Sequence, residues 1–305
     1  MVGLFRRWWF YPVVLIPGGI IGGSWWLTEP LVDRAPAGPT PSATGPVVAV
    51  PEAAAAAARV DAPPAWPKDR LEGAEAKRLL RDALVHVADR LNGIDGYTAT
   101  FYKQERIKGK LGPRHRLTLK VRHKPFAVYL KFLEPQAGKE VVYAEGHHEN
   151  KVIAHSGGLS RLLVPRLALP PDHPMATADS RHPITEAGVA NLTAKLLRFR
   201  QMDLEDEGAQ TVLDRVNDAS GRPRLRSIHS HTAQHDARPF ARVEVLYDPD
   251  TYLPVDIRSF DWPAPGHEGD LLLAEHYTYE DIRFDAELSA IDFDPANPSY
   301  AFHRY

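Results

Sequence analysis

The chain has 305 residues, a near-neutral net charge of -2 and no cysteine. Neutral balance argues against bulk nucleic-acid binding, which needs a basic surface. The missing thiols exclude disulfides, thiol catalysis, a lipid anchor attached through cysteine and every zinc site built on thiolates.

In chain order, Arg6 and Arg7 lead into an uncharged run from Trp8 to Leu27, long enough to cross a bilayer core of ~30 Å as a helix. Trp8 and Trp9 at one end and Trp25 and Trp26 at the other match aromatic belts at two membrane interfaces, and the arginines keep the N-terminus in the cytoplasm. Residues 1–27 therefore read as a transmembrane signal anchor. The competing reading is a cleaved signal peptide ending near Gly22, Gly23 and Ser24. Either one exports the rest of the chain. The expected location is the inner membrane as a single-pass protein with its C-terminal domain in the periplasm, or the periplasm itself if the signal is cleaved. Residues 28–70 read as a proline- and alanine-rich disordered linker, too poor in aromatic and branched apolar residues to build a core. Residues 71–305 are left for one sizeable exported domain.

That domain opens with a predicted helix, in which Leu80, Leu84, Val87 and Leu91 form one apolar stripe and Asn92-Gly93 ends it. The period then changes to two. Tyr97 to Tyr102 reads as a strand, as do Leu117, Leu119 and Val121 alternating with polar residues, then Phe126, Val128, Leu130 and Phe132, joined by a His123-Lys124-Pro125 link. Val141 to Tyr143 and Val152 to Ala154 come next. Short links between successive strands imply an antiparallel meander. Leu159 to Pro183, with five prolines, reads as a long irregular loop that gates one mouth of the fold or covers a sheet edge; Arg161 and Arg166 would sit near its rim, where guanidinium groups can meet a lipid phosphate. A second helix is expected from near Ile184 to Met202, with Pro183 at its first position and His182 capping it or meeting an anion there. Further strands are expected at Val212 to Val216, Arg224 to His231, Ala241 to Tyr247, Leu253 to Phe260, Leu271 to Tyr279 and Ile291 to Phe293.

Some of these segments are familiar. Tyr97 to Glu105, the hairpin Lys120 to Phe126, Tyr252 to Ile257 and Tyr277 to Ile282 resemble strands of the periplasmic lipoprotein carrier family LolA. Gly138 to Gly146, Met175-Ala176-Thr177, Arg181 to Thr185 and Gly188 resemble a bacterial domain family of unknown function, number 1571, over roughly residues 74–302. The resemblance implies an α+β fold: a curved antiparallel β-sheet, or half-barrel, covered by helices and here preceded by the N-terminal transmembrane helix. In LolA relatives the concave space holds acyl chains or other apolar groups, and some relatives sense envelope stress through protein contacts.

The leading expectation is therefore a membrane-tethered exported binding protein holding a lipid or other apolar ligand. Its candidate contacts are Leu117, Leu119, Val121, Val128, Leu130 and Phe132, with Arg161, Arg166, Arg181 and His182 for polar groups. A protein-interaction or stress-sensing module is the alternative. A third reading is a metal-dependent enzyme using His229 and His231, which share a strand face, with His235 beyond them; an exposed polar strand face is the simpler account of the same residues. No nucleophile elbow, His-Glu-x-x-His or phosphate-binding glycine loop is present. Nothing names a catalytic residue or a cofactor, and the reading leans away from an enzyme.

Overall fold

The computed structural model describes residues 63–158, 166–234, 238–263 and 271–302. The segment read as a membrane anchor, most of the linker, Arg161 and His235 lie outside these residues. Among the described residues no helix is long and apolar enough to cross a membrane.

Two helices and thirteen strands make up the described chain. They are β1 (Leu71–Glu72), α1 (Gly73–Asn92), β2 (Gly96–Ile107), β3 (Lys110–Leu111), β4 (His115–Arg122), β5 (Ala127–Glu134), β6 (Glu140–Ala144), β7 (Val152–His155) and β8 (Leu167–Leu169), then α2 (Val189–Met202), β9 (Ala209–Asn217), β10 (Pro223–His231), β11 (Arg242–Tyr247), β12 (Pro254–Phe260) and β13 (Leu273–Arg283). All the strands join one large open antiparallel sheet in the order β1-β9-β10-β11-β12-β13-β2-β4-β5-β6-β7-β8, with β3 hanging on β2. The chain thus lays down one meander, crosses through α2, and lays down a second. The two meanders meet where the last strand, β13, pairs with β2.

Helix α1 packs against α2 and β9, and α2 against β12. The stripe Leu80, Leu84, Val87 and Leu91 is buried as the periodicity predicts. Its first half meets Leu213, Leu225, Val245 and Ile257 of the second meander. Its second half meets Phe101, Leu117, Leu119, Val121 and Val128 of the first. The folded part starts earlier than Leu71: Trp66, expected in the linker, is only 4% exposed. Its indole donates to the Asp214 carbonyl at 3.0 Å, and Tyr252 donates to the Pro64 carbonyl at 3.1 Å.

Strand β5 is covered on both faces, which simple alternation does not show. Val128 faces the helices, while Ala127 and Tyr129 pack under Phe293, Tyr300 and Phe302 from the C-terminal segment. Tyr129 and Tyr300 stack at 4.0 Å. Residues 291–293, expected as a strand, belong to a 3-10 turn, Ala290–Phe293. The Asp292 carboxylate takes both the amide (2.9 Å) and the hydroxyl (3.0 Å) of Ser289, an arrangement that nucleates a helical turn. The long loop is also less irregular than expected, because β8 lies within it and pairs with β7.

The second helix begins later than expected. Ile184–Glu186 is a separate 3-10 turn, and α2 starts at Val189 after Gly188, whose φ of 101° suits glycine. A Cβ at position 188 would lie 2.8 Å from the Tyr97 hydroxyl oxygen. That hydroxyl accepts the otherwise orphaned Val189 amide at 2.8 Å. Tyr97→Phe should therefore lower unfolding free energy by about 1–3 kcal/mol, the cost of a buried amide left without a partner; urea denaturation measures this, and an unchanged midpoint would remove the tie between β2 and α2.

Candidate functional site

A cavity of about 890 Å³ lies between the sheet and α2, closed in part by residues from the 167–187 stretch. Helix α2 supplies Leu192, Lys195, Leu196, Phe199 and Arg200, the i, i+3, i+4, i+7, i+8 stripe of a helix face. Strands β2, β5 and β13 supply Phe101, Leu130, Phe132 and Tyr279. The lining is mainly apolar, but one wall is charged.

That wall is built at the junction of the two meanders. Phe101, Lys103 and Glu105 alternate along one face of β2 and pair in register with Tyr279, Tyr277 and Glu275 of β13. Phe101 stacks on Tyr279 at 4.9 Å. Glu105 and Glu275 are thereby placed directly opposite each other, 6% and 5% exposed, although like charges across a strand pair repel. Their neighbours compensate. Lys103 reaches Glu105 at 3.0 Å. Tyr277 donates its hydroxyl to Glu105 and stands 3.4 Å from Glu275. Ser259 donates to Glu275 at 3.0 Å. The Arg181 amide donates to Glu105 at 3.2 Å and its guanidinium approaches Glu275 at 3.4 Å. His182 Nε2 meets Glu275 at 2.8 Å.

Burial opposes charge on His182, but Glu186 and Glu275 outweigh it and hold its pKa up at about 9. The His182 contact in turn draws Glu186 down to about 2. With both imidazole nitrogens donating to carboxylates, Lys195, whose Nζ is 3.3 Å from Nδ1, acts as a like-charged neighbour; both cations share Glu186. Burial, then Glu275 and Glu105, raise the Tyr277 pKa, so this phenol is a donor and not a base. The stabilising contribution of His182 is full below its unfolded value of 6.5 and is lost as pH rises through about 9. Unfolding free energy should fall across that interval, and His182→Gln should flatten the slope; an identical pH profile for the variant would show the imidazole to be uncharged.

A second buried cluster closes the C-terminal end of α2. Asp203, His229 and His231 offer three ligand atoms within 4.8 Å of one another, so Asp203 joins the two histidines singled out by their strand spacing. The Asp203 carboxylate is already engaged, however: His229 Nε2 lies at 2.9 Å, Arg200 at 3.0 Å and Arg238 at 2.8 Å. Thr211 sits 2.9 Å from the other ring nitrogen of His229. Burial and the nearby Arg200 press the His229 pKa down to about 3, leaving a neutral imidazole with the protonation state of a metal ligand. Two guanidinium groups on the one carboxylate would repel a cation, and they neutralise Asp203 without one. Asp203→Asn would leave the buried Arg200 without its carboxylate, while Arg238 keeps Asp206 at 3.2 Å, and should cost about 3–5 kcal/mol. Thermal or urea unfolding checks this, and a loss under ~1 kcal/mol would mean that the cluster holds nothing together.

The residues expected at the site divide. Leu130, Phe132 and His182 line the cavity, and Arg181 stands behind its charged wall. Leu117, Leu119, Val121 and Val128 do not reach it; the ends of α1 and α2 cover them in the core. Arg166 is exposed and does not line it. Glu105, Glu275 and Tyr277 were missed. The available signal was a charged residue at the inward position of an alternating strand, Phe101-x-Lys103-x-Glu105, a pattern that marks a buried ionic group.

Residues 94–302 match the family described as Protein of unknown function (DUF1571), and the chain belongs to that family. Among curated proteins none matches. Among solved structures, a DUF1329 family protein from Desulfovibrio piger is 11% identical, covering 72% of this chain and 97% of that one with a TM-score of 0.36. A LolA superfamily protein from Nitrosomonas europaea is 7% identical, covering 70% and 97%, with a TM-score of 0.30. The Mycobacterium tuberculosis lipoprotein LppX is 12% identical, covering 68% and 97%, with a TM-score of 0.36.

Proposed function

We propose that this protein is an exported binding protein whose sheet and helices form a half-barrel around one lipid or other apolar ligand. The observation that carries the reading is the cavity of about 890 Å³, a size within the ~300–1,000 Å³ of small-molecule sites and, like them, lined mostly by apolar side chains with a few convergent polar groups. Phe101, Leu130, Phe132, Leu192, Leu196 and Phe199 would shelter the apolar part, a favourable transfer from water. The charged wall of Glu105, Glu275 and His182 would orient a polar group. Residues 1–27 would hold the protein at the inner membrane with the domain in the periplasm, and a spacer ending before Trp66 would set its reach.

Organic extraction of the purified full chain and mass spectrometry of the extract test the reading. An amphiphile should be recovered in near-stoichiometric amount, and Leu192→Trp, which fills the cavity, should lower that amount several-fold. Extracts without any such molecule, from protein prepared under native conditions, would leave the cavity without its proposed role.

A further inference from the structure

One corner of the cavity wall, at the start of β4 and the end of β5, gathers basic groups. Lys139 lines the cavity there with its ammonium over the Phe132 ring, 4.9 Å from the centroid. That ammonium makes a long contact of 3.5 Å to the Gln136 side-chain oxygen. His115 lines the same end and packs edge-on against the same ring at 5.4 Å. Its Nδ1 is buried without a hydrogen-bond partner among the described residues. Lys103 lines the cavity beside them, held by Glu105 and by Ser180 at 2.9 Å.

We propose that this corner is the anion-binding end of the cavity, and that its ligand is an amphiphile with an oxyanion head, a carboxylate or a phosphate, set between Lys139 and His115 while the apolar tail runs along Phe132 and Leu130. The inference rests on the proposed binding function and names the chemistry of its ligand. Two features support it beyond the placement. Burial, then the positive charge of Lys103, disfavour protonation of His115 against the opposing pull of the Pro135 carbonyl and Glu105, and burial, despite the opposing pull of Asp179, depresses Lys139. Basic groups gathered in a partly desolvated pocket repel one another, and an anion between them reverses that repulsion. The Pro135 carbonyl engages the imidazole on one side, and Nδ1, buried without a partner among the described residues, can meet an oxyanion once it carries a proton. The Glu105–Glu275 wall cannot serve an anion equally, because its cations are already bound to carboxylates.

Equilibrium dialysis of labelled dodecanoate, dodecyl phosphate, dodecanol and acetate against the full chain tests the proposal. Dodecanoate or dodecyl phosphate should bind at least about tenfold more tightly than dodecanol, the effect of one charge-assisted hydrogen bond, and acetate should bind weakly because it has no tail. The relative affinities of dodecanoate and dodecyl phosphate identify the head. Lys139→Met should abolish the preference over dodecanol, and Lys139→Arg should keep it. Equal binding of dodecanoate, dodecyl phosphate and dodecanol to the unmodified protein would overturn the anion site and leave the apolar cavity standing. A preference that survives in Lys139→Met would also overturn it. Failure of all three twelve-carbon probes to bind would overturn the binding function itself. If Lys139→Met does not fold, the comparison of probes on the unmodified protein still decides.

Discussion

Two buried carboxylates face each other where the two halves of the sheet join. The β2–β13 pairing joins the meanders, and its register sets Glu105 against Glu275. Two like charges in a poorly solvated place require cations close by. Only Lys103 comes from the sheet itself; Arg181 and His182 come from the segment that leads into α2. The charge requirement therefore ties that segment down onto the sheet and gives the cavity its roof. Arg181 and His182 are thus counter-charges to two carboxylates that lie far apart in the chain.

The same requirement divides the interior. On one side of α2, side chains from α1 and both meanders pack together, and Leu117, Leu119 and Val121 belong there. On the other side, the charged wall and the ring of Phe132 leave a gap that α2 borders with its Leu192–Phe199 stripe. An apolar alternation in a strand reports that one face is buried. It does not report whether the burying partner is a helix or a ligand.

That ambiguity marks what the sequence could tell. Most of the longer strands came from period-two alternation, and α1 came from its stripe, because both signals are local. The failures have non-local causes. Tyr129 and Ala127 are buried by a C-terminal segment over 150 residues away in the chain. The start of α2 is set by Gly188 and by a hydroxyl on β2. Asp203 joins His229 and His231 only through the packing of α2 on the sheet. Glu105 meeting Glu275 depends on the register between the second strand and the last, which no spacing within either strand reveals.

Helix α2 is held at both ends by buried ties. At its start the Val189 amide bonds to Tyr97, and at its end Arg200 and Asp203 join Arg238 and His229. Neither tie can be replaced by water without exposing the core, so one wall of the cavity is fixed. The roof is held differently. Lys103–Ser180 and His182–Glu275 join groups that themselves line the cavity. Breaking His182–Glu275 would leave a buried carboxylate short of a counter-charge, so the roof is fastened through the charged wall itself. A ligand in the cavity would therefore lie between the face of α2 and the groups that fasten the roof.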